Sequence, residues 1–272
     1  MKLYEVYGIV GLIVCMVFTL NLFFFRIQPF LIWYFIPTWF GLILFIDSLV
    51  YKIKKSSLII NHFKKFIGML SLSAIIWWTF EFFNMYIQNW SYHNIPEPQW
   101  LVFSVSFSTV LPAVMEFFEL FDSLHIFEKI RLKKMKISRK IVNMIFLTGV
   151  LTLLLPIIIP TYFFWTVWLI FFLLLDPLNY LNKQPSVIGY LEKGRVYVIL
   201  SLFLAGIVAG FFWEFWNYRA VPKWTYHIPF ISGYFPQLFE MPLPGYLGYL
   251  PFALELFSIY IFAQSFFVER KK

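Results

Sequence analysis

Eight apolar stretches follow one another along this 272-residue chain, at 4–25, 30–51, 66–89, 100–121, 141–159, 161–181, 196–218 and 246–267. Each is close to the ~20 residues that a helix needs to cross the ~30 Å hydrocarbon core of a bilayer. In lipid a spanning segment has to satisfy its backbone N–H and C=O groups internally, and a helix does so. The chain is 61% hydrophobic and only 13% charged, against about 25% charged for soluble domains, which leaves no room for a sizeable soluble unit. The expected fold class is therefore an all-α integral membrane protein with about eight transmembrane helices. The fifth and sixth stretches are divided only by the segment from Pro156 to Tyr162, where Pro156 and Pro160 favour a turn.

The polar residues inside these stretches are written twice. Asp47, Glu81, Asn84, Trp90, Tyr92, His93, Pro112 and Glu116 recur in order as Asp176, Glu214, Asn217, Trp224, Tyr226, His227, Pro251 and Glu255. Such self-similarity reads as a tandem repeat: residues 1–128 as one four-helix unit, 141–272 as a second, and 129–140 as a basic linker. Lys and Arg cluster after the second, fourth and sixth stretches and at the C-terminus (Arg270, Lys271 and Lys272), while the alternate loops carry only Arg26, Arg219 and Lys223. By the positive-inside rule the basic loops and both termini are expected in the cytoplasm of a prokaryotic cell (inner) membrane. An even number of helices per unit makes the two units like-oriented, related by an axis along the membrane normal. The net charge of +8 follows from this pattern and excludes nucleic acid as a partner. The first stretch lacks a signal-peptide cleavage pattern and is read as retained.

Eight of the fourteen acids fall within or at the ends of spans: Asp47, Glu81, Glu116, Glu119, Asp122, Asp176, Glu214 and Glu255. A carboxylate at a helix centre costs about 2.5 to 3.5 kcal/mol on insertion scales, so these acids are expected to face the bundle interior and find partners or stay protonated. Glu81 and Asn84, like Glu214 and Asn217, are three apart and share a helix face. The expectation is that each Asn orients its glutamate, and that a carboxylic acid kept neutral by burial donates a proton. The bland alternative is polar glue between helices. Pro112 and Pro251 each precede a glutamate by one turn, and a kink there would open a cavity. Asp47 and Asp176 lie near the cytoplasmic span ends, where helix-end or linker contacts reached by water are expected unless they belong to the reactive site. The loops carry Trp90, Tyr92, Trp224 and Tyr226, residue types that commonly form an interfacial belt. Cys15 is the single cysteine, and His93 and His227 lack helical partners, so no metal site and no cofactor are expected.

Thirty-six Phe, sixteen Tyr and eleven Trp exceed what lipid-facing packing requires. Aromatic faces attract cations by about 2 kcal/mol or more when desolvated, which suits carbocation chemistry begun and ended by carboxyl groups. The run Trp213-Glu214-Phe215-Trp216-Asn217-Tyr218, then Trp224-Thr225-Tyr226, then Gly248-Tyr249-Leu250-Pro251 with an acid shortly after resembles the membrane lycopene cyclases of the heterodimeric bacterial, archaeal and fused fungal type. The ordered similarity covers about residues 30–122 and 165–262. The Trp213-Glu214 pair is also similar to the fungal integral-membrane meroterpenoid cyclases. The resemblance, joined to the site chemistry, implies an isoprenoid or carotenoid cyclase or isomerase acting on a long apolar polyene. Glu81 and Glu214 are then proton donors, Glu116 and Glu255 bases or pocket acids, and Asn84 and Asn217 orienters. Trp78, Trp213 and Trp216 line the cation, with Trp90, Tyr92, Trp224, Tyr226, Asp47 and Asp176 completing the substrate site. Expected partners are the bilayer and an isoprenoid or lipid-like substrate, with a homo-oligomer left open. Midplane acids in like-oriented repeats also describe a proton-coupled transporter or channel, and the basic linker would suit a membrane scaffold.

Overall fold

The computed structural model describes residues 2–267; Glu269, Arg270, Lys271 and Lys272, the last three counted above among the cytoplasmic basic residues, lie outside the described residues. The protein is an all-α integral membrane protein. Among the described residues seven helical segments are long and apolar enough to span a bilayer, and eight if a helix pair bent by 40° is taken as one broken span. Helix α1 (Leu3–Leu20) runs on through a wider turn, Asn21–Phe25, and is followed by α2 (Phe35–Lys54). Residues 30–34 were expected inside the second span but lie before it, in turns and a bend. The Asn21 side chain holds the bend before them: its Nδ2 donates to the Ile27 carbonyl at 3.1 Å and its Oδ1 accepts from the Ile27 N–H at 2.9 Å.

The short α3 (Leu58–Asn61) leads into α4 (Phe63–Ile87) and strand β1 (Trp90–His93), and the fourth span is made of α5 (Gln99–Phe107) and α6 (Val110–Ser123). Helix α7 (Arg139–Ile158) ends just before Pro160, at the predicted division. The sixth span is broken, as α8 (Pro160–Phe163), a tight turn Phe164–Trp168 and α9 (Ile170–Leu181). There follow α10 (Val187–Glu192), α11 (Val196–Arg219), strands β2 (Lys223–Tyr226), β3 (Gln237–Leu238) and β4 (Met241–Pro242), and α12 (Tyr249–Phe267).

Helix α6 is the centre of the bundle. It packs on α2, α4, α11 and α12, and every residue from Val110 to Phe118 is buried. Helices α1 and α7 are peripheral and leave apolar side chains such as Ile13, Val17, Leu147 and Leu151 exposed, as a lipid-facing helix does. Pro112 and Pro251 do not kink a continuous helix. Each is the third residue of its helix, α6 and α12, where the missing N–H has no intrahelical acceptor to lose. Upstream of Pro112 the α5–α6 break is bridged by Ser73 of α4. Its hydroxyl donates to the Phe107 carbonyl at 2.5 Å and accepts from the Leu111 N–H at 2.9 Å, occupying the place of a ladder bond.

Charged residues separate to the two ends of the bundle. At one end Lys54 pairs with Glu119, and the linker is tied to the α10–α11 turn by Leu132 N–H to Gly194 C=O and Met135 N–H to Glu192 C=O, both 3.1 Å. Arg139 and Lys140, assigned above to the linker, already belong to α7. At the other end Arg26 donates to the Arg219 carbonyl at 3.2 Å. There β1 and β2 form an antiparallel ladder in which Trp90 pairs with Tyr226, Ser91 with Thr225, and Tyr92 with Trp224. Trp90 corresponds to Trp224 and Tyr92 to Tyr226 in the repeat, so the pairing is reciprocal about the Ser91–Thr225 pair, as a local two-fold requires.

Candidate functional site

A cavity of about 390 Å³ lies beneath this ladder, walled by both halves of the chain: Trp77, Trp90, Tyr92, Phe107, Trp168, Trp213, Trp224, Tyr226, Tyr249 and Phe252 among others. Its volume falls in the ~300–1,000 Å³ range of pockets that enclose a small molecule. The tight turn Phe164–Trp168 gives the cavity Trp168, and the loop after β2 covers it with Ile228, Ile231, Met241 and Leu247. That loop is held by an ion pair between Lys223 and Glu240. The rings meet edge to face or tilted, for example Trp168 and Phe252 at 5.6 Å and Trp77 and Phe252 at 5.9 Å, so both ring faces and edges line the space.

Two glutamates stand behind this wall, each reached through a tyrosine hydroxyl. Glu81 Oε1 accepts from Tyr92 OH at 2.6 Å, Trp77 Nε1 at 2.9 Å and Trp90 Nε1 at 3.0 Å. Glu214 Oε1 accepts from Tyr226 OH at 2.6 Å and Tyr249 OH at 2.9 Å, while its Oε2 is buried without a partner. Burial, and then the neighbouring glutamate, push the phenols of Tyr92 and Tyr226 well above their ordinary range, so both remain protonated donors. The two halves solve one problem differently. Four residues before the glutamate, the first half has Trp77 and the second has Gly210. A Cβ at Gly210 would collide with the Tyr249 ring, so the missing indole leaves the space from which Tyr249 donates instead.

The remaining residues singled out from the sequence separate into those at the cavity and those elsewhere. Trp90, Tyr92, Trp213, Trp224 and Tyr226 line it. Trp78 does not; it is 40% exposed and donates to Ser104 Oγ at 3.1 Å. Trp216 is buried behind the wall and donates to Thr19 Oγ1 at 3.1 Å. The direct hydrogen bonds of Asn84 and Asn217 go to the strands after their helices, with the Asn84 amide also close to Glu81. Asn84 Oδ1 accepts from the Asn89 and Trp90 N–H groups, and its Nδ2 donates to the Trp90 carbonyl at 2.9 Å. Asn217 pairs in the same way with the N–H and C=O of Trp224, at 2.9 and 2.8 Å. Each amide thereby fixes the strand that carries the cavity aromatics.

Asp47 and Asp176 lie outside the cavity and, contrary to the expectation of water access, are fully buried. Asp176 accepts from the Val187 and Ile188 N–H groups at 2.7 and 2.9 Å, which are the first amides of α10. Asp47 accepts from Tyr7 OH, Ser57 Oγ and the Ile59 N–H at 2.5, 2.8 and 3.0 Å. Both carboxylates hold the short helix after their span by its N-terminal donors. Glu255 likewise accepts from the Phe171 N–H at 2.7 Å, at the start of α9 inside the broken span. Glu116 lines a second cavity at the opposite end of the bundle. Neither glutamate is therefore in place as a base at the aromatic cavity. Trp168 and Phe252 were missed, and Trp77, which flanks the Glu81–Asn84 pair, and Tyr249 were not assigned to the site. Tyr249 stood in the quoted Gly-Tyr-Leu-Pro run, whereas Trp168 enters only through the break in the sixth span. No family model, curated protein or solved structure matches the chain.

Proposed function

We propose that this protein is an intramembrane isoprenoid cyclase or isomerase, with the Lys- and Arg-rich end and both termini in the cytoplasm of a prokaryotic cell membrane. The observation that carries the proposal is the meeting of two Tyr–Glu pairs, one from each half, at a single aromatic-walled cavity. A cavity of this size takes one end of a long polyene, and the remainder lies along the apolar bundle. The resemblance of the Trp213 to Tyr218, Trp224 to Tyr226 and Gly248 to Pro251 segments to membrane lycopene cyclases supports the same substrate class.

In this reading Glu214 is the acid and Glu81 the base. Three donors converge on Glu81 Oε1, the setting of a carboxylate, whereas Glu214 keeps a buried oxygen without a partner on which a proton can sit. The Tyr226 or Tyr249 hydroxyl turns from donating to Glu214 Oε1, gives its proton to an alkene carbon and takes the carboxyl proton of Glu214 in its place; the cation moves along the chain as new C–C bonds close, and the rings of Trp77, Trp168 and Trp213 stabilise it. Loss of a proton to Glu81 through Tyr92 restores an alkene. The sum is redox-neutral: Glu214 ends one proton short and Glu81 one proton over, and exchange of protons with water resets both before the next turnover.

The test is expression in cells that accumulate lycopene or other polyprenyl compounds, beside Glu81→Gln and Glu214→Gln. The intact protein is expected to yield a cyclised or isomerised product, and each variant to lower its formation by about 10²-fold or more, the scale of lost general acid–base catalysis. No product across a broad substrate panel sinks the proposal. Substrate-driven proton flux in liposomes, abolished by the same variants with no new product, would assign a proton-coupled carrier instead.

A further inference from the structure

The second cavity, about 360 Å³, lies at the lysine-rich end between the ends of α2, α4, α6 and α12. Glu116 forms part of its wall, is 1% exposed and has a buried Oε1 with no hydrogen-bond partner. Its neighbour Asp47 already accepts three donors, so a proton shared between the two carboxyl groups is the one link the protein itself supplies, and Glu116 Oε1 still lacks a donor. Two adjacent buried carboxyl groups repel if both are charged, and a buried acceptor without a donor is a defect that native structures rarely keep. A cationic donor arriving at Glu116 removes both difficulties. The wall also carries Lys65 and His62, whose side chains make no ion pair among the described residues, whereas Lys54 is taken by Glu119. Phe118 and Ile261 make the adjoining surface apolar.

A buried carboxyl oxygen without a donor, the Lys65 ammonium and the His62 imidazole in the same wall and an apolar flank describe a ligand with an ammonium end, an anionic centre and hydrocarbon. We infer that this cavity is a binding site for a phosphoethanolamine head group, its ammonium on Glu116 and its phosphate on Lys65 and His62. A choline head group fits the same charges but has no N–H to donate to Glu116, which makes the selectivity testable. The inference does not rest on the cyclase reading, since Glu116 lies outside the aromatic cavity.

The experiment is native mass spectrometry of the full-length protein with phosphatidylethanolamine and phosphatidylcholine at equal mole fraction, repeated with soluble phosphoethanolamine as competitor. The intact protein is expected to retain phosphatidylethanolamine about tenfold better, the value of one charge-assisted hydrogen bond. Glu116→Gln should abolish that preference, and His62→Ala with Lys65→Ala should weaken both lipids alike. Displacement by soluble phosphoethanolamine would assign recognition to the head group alone; retained lipid that it does not displace would add the acyl chains, and either supports the site. Equal retention of the two lipids by the intact protein, or a preference unchanged in Glu116→Gln, overturns the inference. Should Glu116→Gln fail to fold, unchanged lipid retention by the His62 and Lys65 variant, altered at the wall alone, overturns it as well.

Discussion

The most informative single position is Gly210. It stands where the first half carries Trp77, and its lack of a side chain lets the Tyr249 ring lie against α11, one helical turn from the carboxyl group it serves. Gly210→Ala places a methyl group inside that ring's volume, and overpacking of this kind costs about 1–3 kcal/mol. Tyr249→Phe keeps the ring and removes only the hydroxyl, at a cost of about 1 kcal/mol. Thermal unfolding in detergent should therefore rank Gly210→Ala as the more damaging change; the reverse order would mean that the ring is not seated there. Tyr249 entered the sequence reading only within the Gly248 to Pro251 run, and Gly210 drew no attention, because a glycine inside a span reads as ordinary helix packing. Its role needs the knowledge that α12 crosses α11 at this height.

At the scale of elements, buried acids at the ends of broken or re-entrant helices act as caps. Asp176 holds α10, Asp47 holds α3 with the help of Ser57, and Glu255 holds the start of α9. The repeat marked these residues as special, and chemistry was one explanation of an intramembrane acid. The other explanation, an acceptor for stranded backbone N–H groups, depends on where helices stop, and element boundaries are the least legible feature of a sequence. Asp176→Ala strips the Val187 and Ile188 amides of their partner. A loss of about 2 kcal/mol is expected, with Asp176→Asn losing roughly half as much. Hydrogen exchange should quicken at residues 187–192 before it does in α11; protection unchanged there would show that the cap contributes nothing.

For the whole molecule, the decisive contact joins the two halves through β1 and β2. Loops of the Trp-Ser-Tyr-His and Trp-Thr-Tyr-His kind were read both as residue types of an interfacial belt and as part of the substrate site; they pair with each other and bring Tyr92 and Tyr226 to one cavity. Ser91 and Thr225 are directly opposed, at a separation that a disulfide can span. Under mild oxidation the Ser91→Cys, Thr225→Cys double variant is expected to form an internal crosslink, seen as a mobility shift on a non-reducing gel, with Cys15 buried and out of play. If the two single variants dimerise between chains while the double variant forms no internal bond, the ladder is not the native contact.

The sequence by itself determined the solvent of this protein and the approximate places of its seven or eight apolar spans, and it suggested the correspondence of residues between its halves. Those properties depend on hydropathy and on self-similarity, both of which act locally along the chain. Only the tertiary structure decided which acids belong together. It put Glu81 and Glu214 behind one aromatic cavity, Glu116 at another, and turned Asp47, Asp176 and Glu255 to the service of stranded backbone amides. The physical reason is that a buried carboxyl group must find donors wherever the chain offers them, and which donors lie within 3 Å is set by how helices cross and where they break.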